Sequence, residues 1–413
     1  MFARSLLAVA LLIMTLAPAY GQTHARIEQQ HRAWIENALW PQARLAGVSR
    51  STFDAARGHM KIDWTLPGLV YPGRKGNGPE QHQSEFRAPR NYFNENAMES
   101  AARLGVSHSD NLASVLGRIE RDTGVPWHVL LAIWGRESLF GKAPIPHEAL
   151  RVLATRAYLD PRPSYYANEL ISALLLLEHG NFAPGALKSS WGGALGMPQF
   201  MPSSALRYAR DADGDGKADI FRSEADTLAS IAHYLESHGW VSGRDWGFEV
   251  SLPAALPCSL EGPDQMRSIA DWERLGVTRV SGRKFPAHER MGAAYLVLPA
   301  GRYGPAFLAT PNFGVLKDYN NSDLYALYVG NLADRIRYGS GSFRTEWKDI
   351  PGLGRQDVAE IQRRLVAQGY DVGGVDGLVG FKTRRAIGKW QEKANVTPTC
   401  FPTRATFHSL AKR

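Results

Sequence analysis

Two cysteines in 413 residues allow one disulfide at most, so a scaffold built on a cystine framework is excluded and the fold must rest on an apolar core. Spacing alone does not decide whether Cys258 and Cys400 pair, because it cannot bring two Cα atoms within bonding range. Long hydrophobic runs are also missing. The most apolar stretch, Leu6 to Leu16, is eleven residues long, where a spanning helix needs about twenty. With Arg4 ahead of it and the small residues of Ala17-Pro18-Ala19-Tyr20-Gly21 behind it, this stretch reads as a secretory signal peptide over residues 1–21. No cysteine lies at the cleavage point, so no lipid anchor is expected and the mature protein is expected to be soluble in the periplasm. Nothing in the chain indicates a catalytic metal.

Negative charge is in deficit. The formal net charge is +8, and residues 354–413 hold eleven Lys/Arg against five Asp/Glu, which accounts for +6 of it. A basic module ordinarily suggests nucleic acid, but an exported chain meets an anionic envelope polymer instead. A solvated basic face is the plainer alternative.

The most telling feature is Glu137, at the end of the apolar run Ala132-Ile133-Trp134-Gly135-Arg136-Glu137. Leu130, Trp134 and Glu137 recur at helical spacing, which puts the carboxyl group on a face with bulky apolar side chains. Desolvation there disfavours the carboxylate and raises its pKa, leaving a protonated acid near neutral pH. An isolated helix-end glutamate is more often simply solvated. What tips the balance is the loop Ser190-Trp191-Gly192-Gly193-Ala194-Leu195-Gly196-Met197-Pro198-Gln199-Phe200 about fifty residues later. Its small residues let backbone approach a ligand, and its amide, hydroxyl and rings suit a sugar.

Four blocks in order, W-G-R-E-S-L-F-G at 134–141, S-W-G-G-A-L-G-M-P-Q-F-M-P-S-S at 190–204, I-A-H-Y-L-E-S-H-G-W at 231–240 and Y-N-N-S-D-L-Y-A-L-Y-V-G-N-L-A-D at 319–334, resemble the B-type lytic murein transglycosylases of the lysozyme-like superfamily. The resemblance implies a catalytic domain over residues 22–338 that cleaves peptidoglycan glycan strands. It implies Glu137 as the catalytic residue and substrate contacts from Arg162, Tyr165, Ser190, Gln199, Phe200, Tyr234, Tyr319, Asn320 and Tyr325. Pro163 stands where members often carry a second arginine. For Tyr234, Tyr319 and Tyr325, core packing is the competing role.

A second resemblance lies beyond a linker at 339–354. The stripes Val358, Ile361, Leu365 and Ala386, Ile387, Trp390 flank a turn-rich loop, and Gln362, Gly369, Tyr370, Asp376, Gly377, Gly380, Thr383 and Gln391 match a small three-helix peptidoglycan-binding domain at 355–413. As an appended module, its removal is expected to weaken retention on insoluble polymer more than turnover of short glycans. The fold class expected is α+β, mainly α, with strands near 248–252 and 293–298.

The family chemistry implies that Glu137 protonates the glycosidic oxygen between N-acetylmuramic acid and N-acetylglucosamine, then takes the C6 hydroxyl proton to close a 1,6-anhydro ring. A hydrolytic muramidase is the first alternative and needs a second carboxylate, with Asp160, Glu169 and Glu178 as candidates. A noncatalytic peptidoglycan-binding scaffold is the second. No cofactor is required. Asp211, Asp213, Asp215, Lys217 and Asp219 follow the spacing of a calcium-binding loop, with glycine at its sixth position. Arg222 occupies position twelve, where a bidentate Glu belongs, so a metal-free acidic turn is the stronger reading and structural calcium its rival. Expected partners are peptidoglycan strands and candidate cell-wall enzymes, without nucleic acid, and the expected state is a monomer.

Overall fold

The structure is a computed structural model and describes residues 17–70, 89–180, 182–339, 341–350 and 353–411. The apolar leader segment lies outside the described residues. Among the described residues no helix is long and apolar enough to cross a membrane. The chain divides into two compact units: Met1–Glu80 with Pro144–Ala209 and Gly214–Ser223, and Gln81–Ala143 with Arg210–Asp213 and Glu224–Arg413.

The first unit is helical. Helices Ala149–Leu159 and Pro163–Gly180 pack along each other. Between Asp160 and Pro163 the chain turns with Asp160 as the fastener: its carboxylate takes the Arg156 Nη1 at 2.7 Å and the backbone N–H of Arg162 at 3.0 Å. A two-residue antiparallel pairing, His147–Glu148 with Lys188–Ser189, leads into the Gly/Ser loop.

The second unit combines helices with a five-stranded antiparallel sheet. Its helix Trp127–Ser138 starts on Pro126, whose missing N–H costs nothing at a helix start. The helix stops abruptly because Leu139 and Phe140 both adopt left-handed backbone, at φ 50° and 58°. Such residues each store about 1–3 kcal/mol and occur where the surroundings fix them. Here the fixing contact is visible. Phe140 folds back under the helix, and a Cβ on Gly135 would come within 2.6 Å of its ring. Upstream lie two helices, Glu95–Asn111 and Ala113–Thr123, broken at Leu112. The Asn94 side chain caps the first by accepting the Ala97 N–H at 3.0 Å.

The strands run in spatial order Arg267–Ser268, Ala293–Val297, Ala306–Ala309, Gly247–Ser251 and Thr278–Arg279. Phe248, Val250, Leu296 and Leu308 form one buried cluster with Trp272 and Cys258. Cys400 belongs to that same cluster although it comes from the C-terminal segment. It is disulfide-bonded to Cys258, 142 positions earlier in the chain.

The C-terminal segment has its own core of Ile361, Leu365, Ile387 and Trp390 within helices Arg355–Ala367, Phe381–Lys393 and Arg404–Ala411. Buried Gln362 accepts from the Gly377 N–H at 2.7 Å and donates to the Leu378 carbonyl, Asp376 and Thr383. Gly377 must be glycine: its φ is 75° and an added Cβ would sit 2.3 Å from the Arg355 carbonyl oxygen. In the 395–403 turn, the Gln391 side-chain Oε1 accepts the N–H groups of Thr399 and Cys400 and so presents the cysteine to its partner.

This segment is fastened to the sheet covalently and electrostatically, which the picture of a simply appended module did not anticipate. Arg384 grips buried Glu261 through Nε at 3.0 Å and Nη2 at 2.6 Å, and Arg385 pairs with Asp264 at 2.6 Å. Ending the chain before Arg355 would strand Glu261 as an uncompensated buried charge and open the sheet core at Cys258, so such a truncation is expected to misfold rather than to yield a smaller working body. Replacing both Cys258 and Cys400 with alanine should cost about 2–5 kcal/mol of stability, read as a lower denaturant midpoint under oxidising conditions that coincides with that of the reduced wild type.

Candidate functional site

Glu137 occupies the last turn of the helix Trp127–Ser138, after Leu130 and Trp134, both fully buried. Its Oε1 accepts the Tyr325 hydroxyl at 2.5 Å. Burial pushes the Glu137 carboxyl up to about 7, against the lowering effects of the Tyr325 hydrogen bond and of Arg136. Arg136 is diverted from the acid: its guanidinium sits 4.7 Å from the centroids of both Tyr92 and Tyr328, and Nη2 donates to the Tyr92 hydroxyl at 2.7 Å. A cation shared between two ring faces leaves its neighbouring carboxyl close to neutral.

Tyr325 is placed by the start of the helix Asp323–Tyr338. Ser322 caps it by accepting the Tyr325 N–H at 3.3 Å. The Tyr319 ring stacks 6.3 Å from Tyr325, and Tyr234 meets Tyr319 edge-on at 4.9 Å. The Tyr234 hydroxyl donates to the Asp318 carbonyl at 2.7 Å, and His238 stacks on its ring at 4.0 Å. Burial first, then the nearby Glu137, keeps the Tyr319 and Tyr325 hydroxyls protonated. Asn320 ends the helix Pro311–Tyr319 and is exposed. In the second unit Tyr325 and Tyr319 thus lie at the Glu137 carboxyl, with Tyr234 behind Tyr319 and Asn320 next to Tyr319 in the chain.

Arg162, Tyr165, Ser190, Gln199 and Phe200 lie in the first unit. Tyr165 is exposed, with the Arg162 guanidinium 5.2 Å from its ring centroid. Ser190 Oγ accepts the Ala194 N–H at 3.2 Å and so closes the loop on itself. Gln199 is left-handed at φ 53°, its Nε2 turned to the Gly196 carbonyl at 2.9 Å. Phe200 is buried, with both backbone polar groups paired to Leu195. Gly196 has φ 62°, and a Cβ there would lie 2.6 Å from the Ile220 carbonyl oxygen, so the loop could not close with any other residue.

Sequence reasoning passed over Trp191. It is 57% exposed, with the Arg156 guanidinium 5.1 Å from its ring centroid and Arg156 Nε on its carbonyl at 3.0 Å. Read together, the loop's rings suit a sugar, and the signal for this one is a tryptophan directly ahead of Gly192-Gly193.

The three candidate second carboxylates are structural. Glu169 takes both the N–H and Oγ of Ser203, Glu178 takes those of Ser49, and Asp160 fastens its turn through Arg156.

In the acidic loop, carboxylate oxygens of Asp211, Asp213 and Asp226 lie within 4.8 Å of one another. Asp226, fifteen positions after Asp211, was absent from the expected set because it lies on the following helix. Asp215, Lys217 and Asp219 belong to the first unit. There Asp215 accepts the Lys217 N–H at 2.8 Å, and Asp219 caps Phe221 and Arg222 at 2.9 and 3.1 Å.

Because the folded chain holds Glu137 neutral while the unfolded chain ionises it near 4.5, the contribution of Glu137 to stability is greatest below that value, falls as pH rises towards about 7 and levels off above. Glu137→Gln removes the penalty. The variant is expected to be more stable than wild type at pH 8 by at most about 3 kcal/mol, a difference that vanishes near pH 4 in paired denaturant titrations.

The family model described as "Transglycosylase SLT domain" matches residues 30–334, and that of a "Putative peptidoglycan binding domain" matches residues 354–410. The chain is 31% identical over 233 residues to membrane-bound lytic murein transglycosylase B of Escherichia coli (strain K12), a match spanning 56% of this chain and 63% of that relative's length. The structure is similar to SltB3 from Pseudomonas aeruginosa in complex with NAG-anhNAM-pentapeptide, with TM-score 0.81 and 35% identity over 93% of this chain and 99% of that one. It is also similar to Escherichia coli Slt35 in complex with calcium, with TM-score 0.54 and 25% identity over 76% of this chain and 93% of that one. With a matched domain over most of its length, and with the acid and its tyrosines inside that match, this chain belongs to the transglycosylase SLT domain family.

Proposed function

We propose that this protein is a lytic murein transglycosylase that cleaves the β-1,4 bond between N-acetylmuramic acid and N-acetylglucosamine. The observation that carries this is the Glu137 carboxyl, held near neutrality with the Tyr325 hydroxyl on it at 2.5 Å. The names of the relatives support the substrate class.

The Glu137 proton passes to the glycosidic oxygen as the C1–O bond breaks. The substrate's own acetamido oxygen closes on C1 and holds the positive charge. Glu137, now a carboxylate stabilised by Tyr325, takes the proton of the C6 hydroxyl as that oxygen attacks C1, which closes the 1,6-anhydro ring and restores the acid. No water is consumed, and one carboxyl serves both steps because its pKa lies near the working pH. The C6 hydroxyl on the same ring has the high effective concentration that an outside water lacks. Engagement of Asp160, Glu169 and Glu178 in structural bonds argues against the muramidase reading, which needs a carboxylate free to activate water. The noncatalytic scaffold is the reading that remains if Glu137 proves dispensable.

Arg162, Tyr165, Ser190, Gln199 and Phe200, with Tyr234, Tyr319 and Asn320, are assigned to the glycan, the buried ones as the packing that shapes its contacts. The segment at 355–413 adds affinity for the polymer. Residues 1–21 serve as the export signal, and the periplasm is the working compartment. Calcium, where bound, would be held by Asp211, Asp213 and Asp226, a set of hard oxygen ligands suited to it, and would act on stability alone.

Mass spectrometry of products from purified peptidoglycan should find muropeptides ending in 1,6-anhydro-N-acetylmuramic acid, lighter by one water than hydrolytic products and resistant to borohydride. Mainly reducible muramic acid ends would favour the muramidase, and no release the scaffold. If the loop holds calcium, chelator should lower the melting temperature and added calcium restore it, while Asp226→Asn should abolish the response. An unchanged melting curve would leave the loop as a metal-free turn.

A further inference from the structure

Asp323, the first residue of the helix that carries Tyr325, is held from two sides. Lys317 Nζ lies 2.7 Å from its Oδ1, and Arg384 Nη2, from the C-terminal segment, lies 3.2 Å from its Oδ2. The same guanidinium holds Glu261 through Nε and Nη2 and donates its Nη1 to the Val379 carbonyl at 2.8 Å. Arg384 and Glu261 are 3% and 1% exposed. One rigid, buried fork therefore spans the sheet region, the C-terminal helix Phe381–Lys393 and the start of the tyrosine helix. Two positions after Asp323 the Tyr325 hydroxyl meets Glu137.

We propose that Arg384 and Asp323 are positioning residues for the cleavage reaction: from the C-terminal segment, Arg384 pins Asp323, and Asp323 fixes the first helical turn that aims the Tyr325 hydroxyl at Glu137. This rests on the proposed role of Glu137. The C-terminal segment is then a part of the catalytic apparatus as well as a polymer-binding module. The geometry favours a mechanical link. A helix's first turn has no hydrogen bonds to its own N–H groups beyond its caps, so it is the turn most dependent on outside anchors, and this one has Ser322 and the Asp323 ion pairs. Burial would raise the Asp323 carboxyl, but Lys317 and Arg384 hold it below the ordinary range, so it stays charged for both cations. The Tyr295 phenol and Glu261 are the other titratable groups that sense this cluster. In the second unit, Glu137 is faced by Tyr325, by Tyr319 with Tyr234 behind it, and by Arg136 on its own helix.

The test is the pH profile of turnover on a soluble glycan by the full-length, oxidised Asp323→Asn protein. Loss of an anion acting only through its field would lower the Glu137 pKa, whereas loss of the aimed hydroxyl raises it. The two explanations therefore have opposite signs. The expected result is an alkaline limb displaced to higher pH, as in Tyr325→Phe, with turnover down about tenfold. The double variant Asp323→Asn with Tyr325→Phe should be no worse than Tyr325→Phe alone, because the two act on one contact. Arg384→Gln should move the limb the same way but strands Glu261, whereas Asp323→Asn leaves that ion pair intact and keeps the test decisive if the Arg384 variant fails to fold. An unmoved or downward-moved limb, or additive losses that track a lower melting temperature, would overturn the positioning role while Glu137→Gln stayed inactive. Turnover retained by Glu137→Gln would overturn the reading of the acid and this role with it.

Discussion

The site depends on one short hydrogen bond, from the Tyr325 hydroxyl to the Glu137 carboxyl. Burial alone would hold the proton so firmly that the carboxyl would part with it reluctantly and hardly exist as the carboxylate that takes one back in the proposed mechanism. The hydroxyl supplies the opposing stabilisation, and Tyr325, kept protonated by burial and by the acid itself, cannot take over the charge. The balance falls at about 7, where both protonation states are accessible.

Much of the second unit can be understood as holding those two groups still. Leu139 and Phe140 adopt left-handed backbone so that the helix ends directly after the acid, and Gly135 makes room for the ring that stabilises this arrangement. Tyr92 and Tyr328 occupy Arg136, which would otherwise drive the acid towards permanent ionisation. Tyr234 and Tyr319 support the Tyr325 ring by edge and face contacts. Around Glu137 the second unit places aromatic support, and among the described residues no second carboxyl contacts it. That arrangement suits chemistry in which the substrate provides both the charge-stabilising group and the nucleophile.

The C-terminal segment changes character once its contacts are known. Its own core would let it fold as a small helical domain, and its basic charge suits an anionic polymer. Yet Cys400 sits in the core of the sheet, and Arg384 grips Glu261, whose carboxyl burial raises above the ordinary range against the pull of that guanidinium. The segment therefore completes the unit that contains the acid.

The sequence by itself determined what short-range order can encode. Leu130, Trp134 and Glu137 at helical spacing marked a desolvated acid, and the strands near 248 and 293 and the two stripes of the C-terminal helices followed from periodicity alone. Ser322 ahead of Asp323 shows that even the cap under Tyr325 is local. Only the tertiary structure decided what depends on residues far apart in the chain meeting: Tyr325 on Glu137 across 188 positions, Cys258 with Cys400, Arg384 on Glu261 and Asp323, Asp226 beside Asp211 and Asp213, and the structural engagement of Glu169 and Glu178. No periodicity carries these pairings, because each is fixed by how separately formed helices and strands pack, and packing is set by the shapes of whole surfaces rather than by the spacing of residues along one of them.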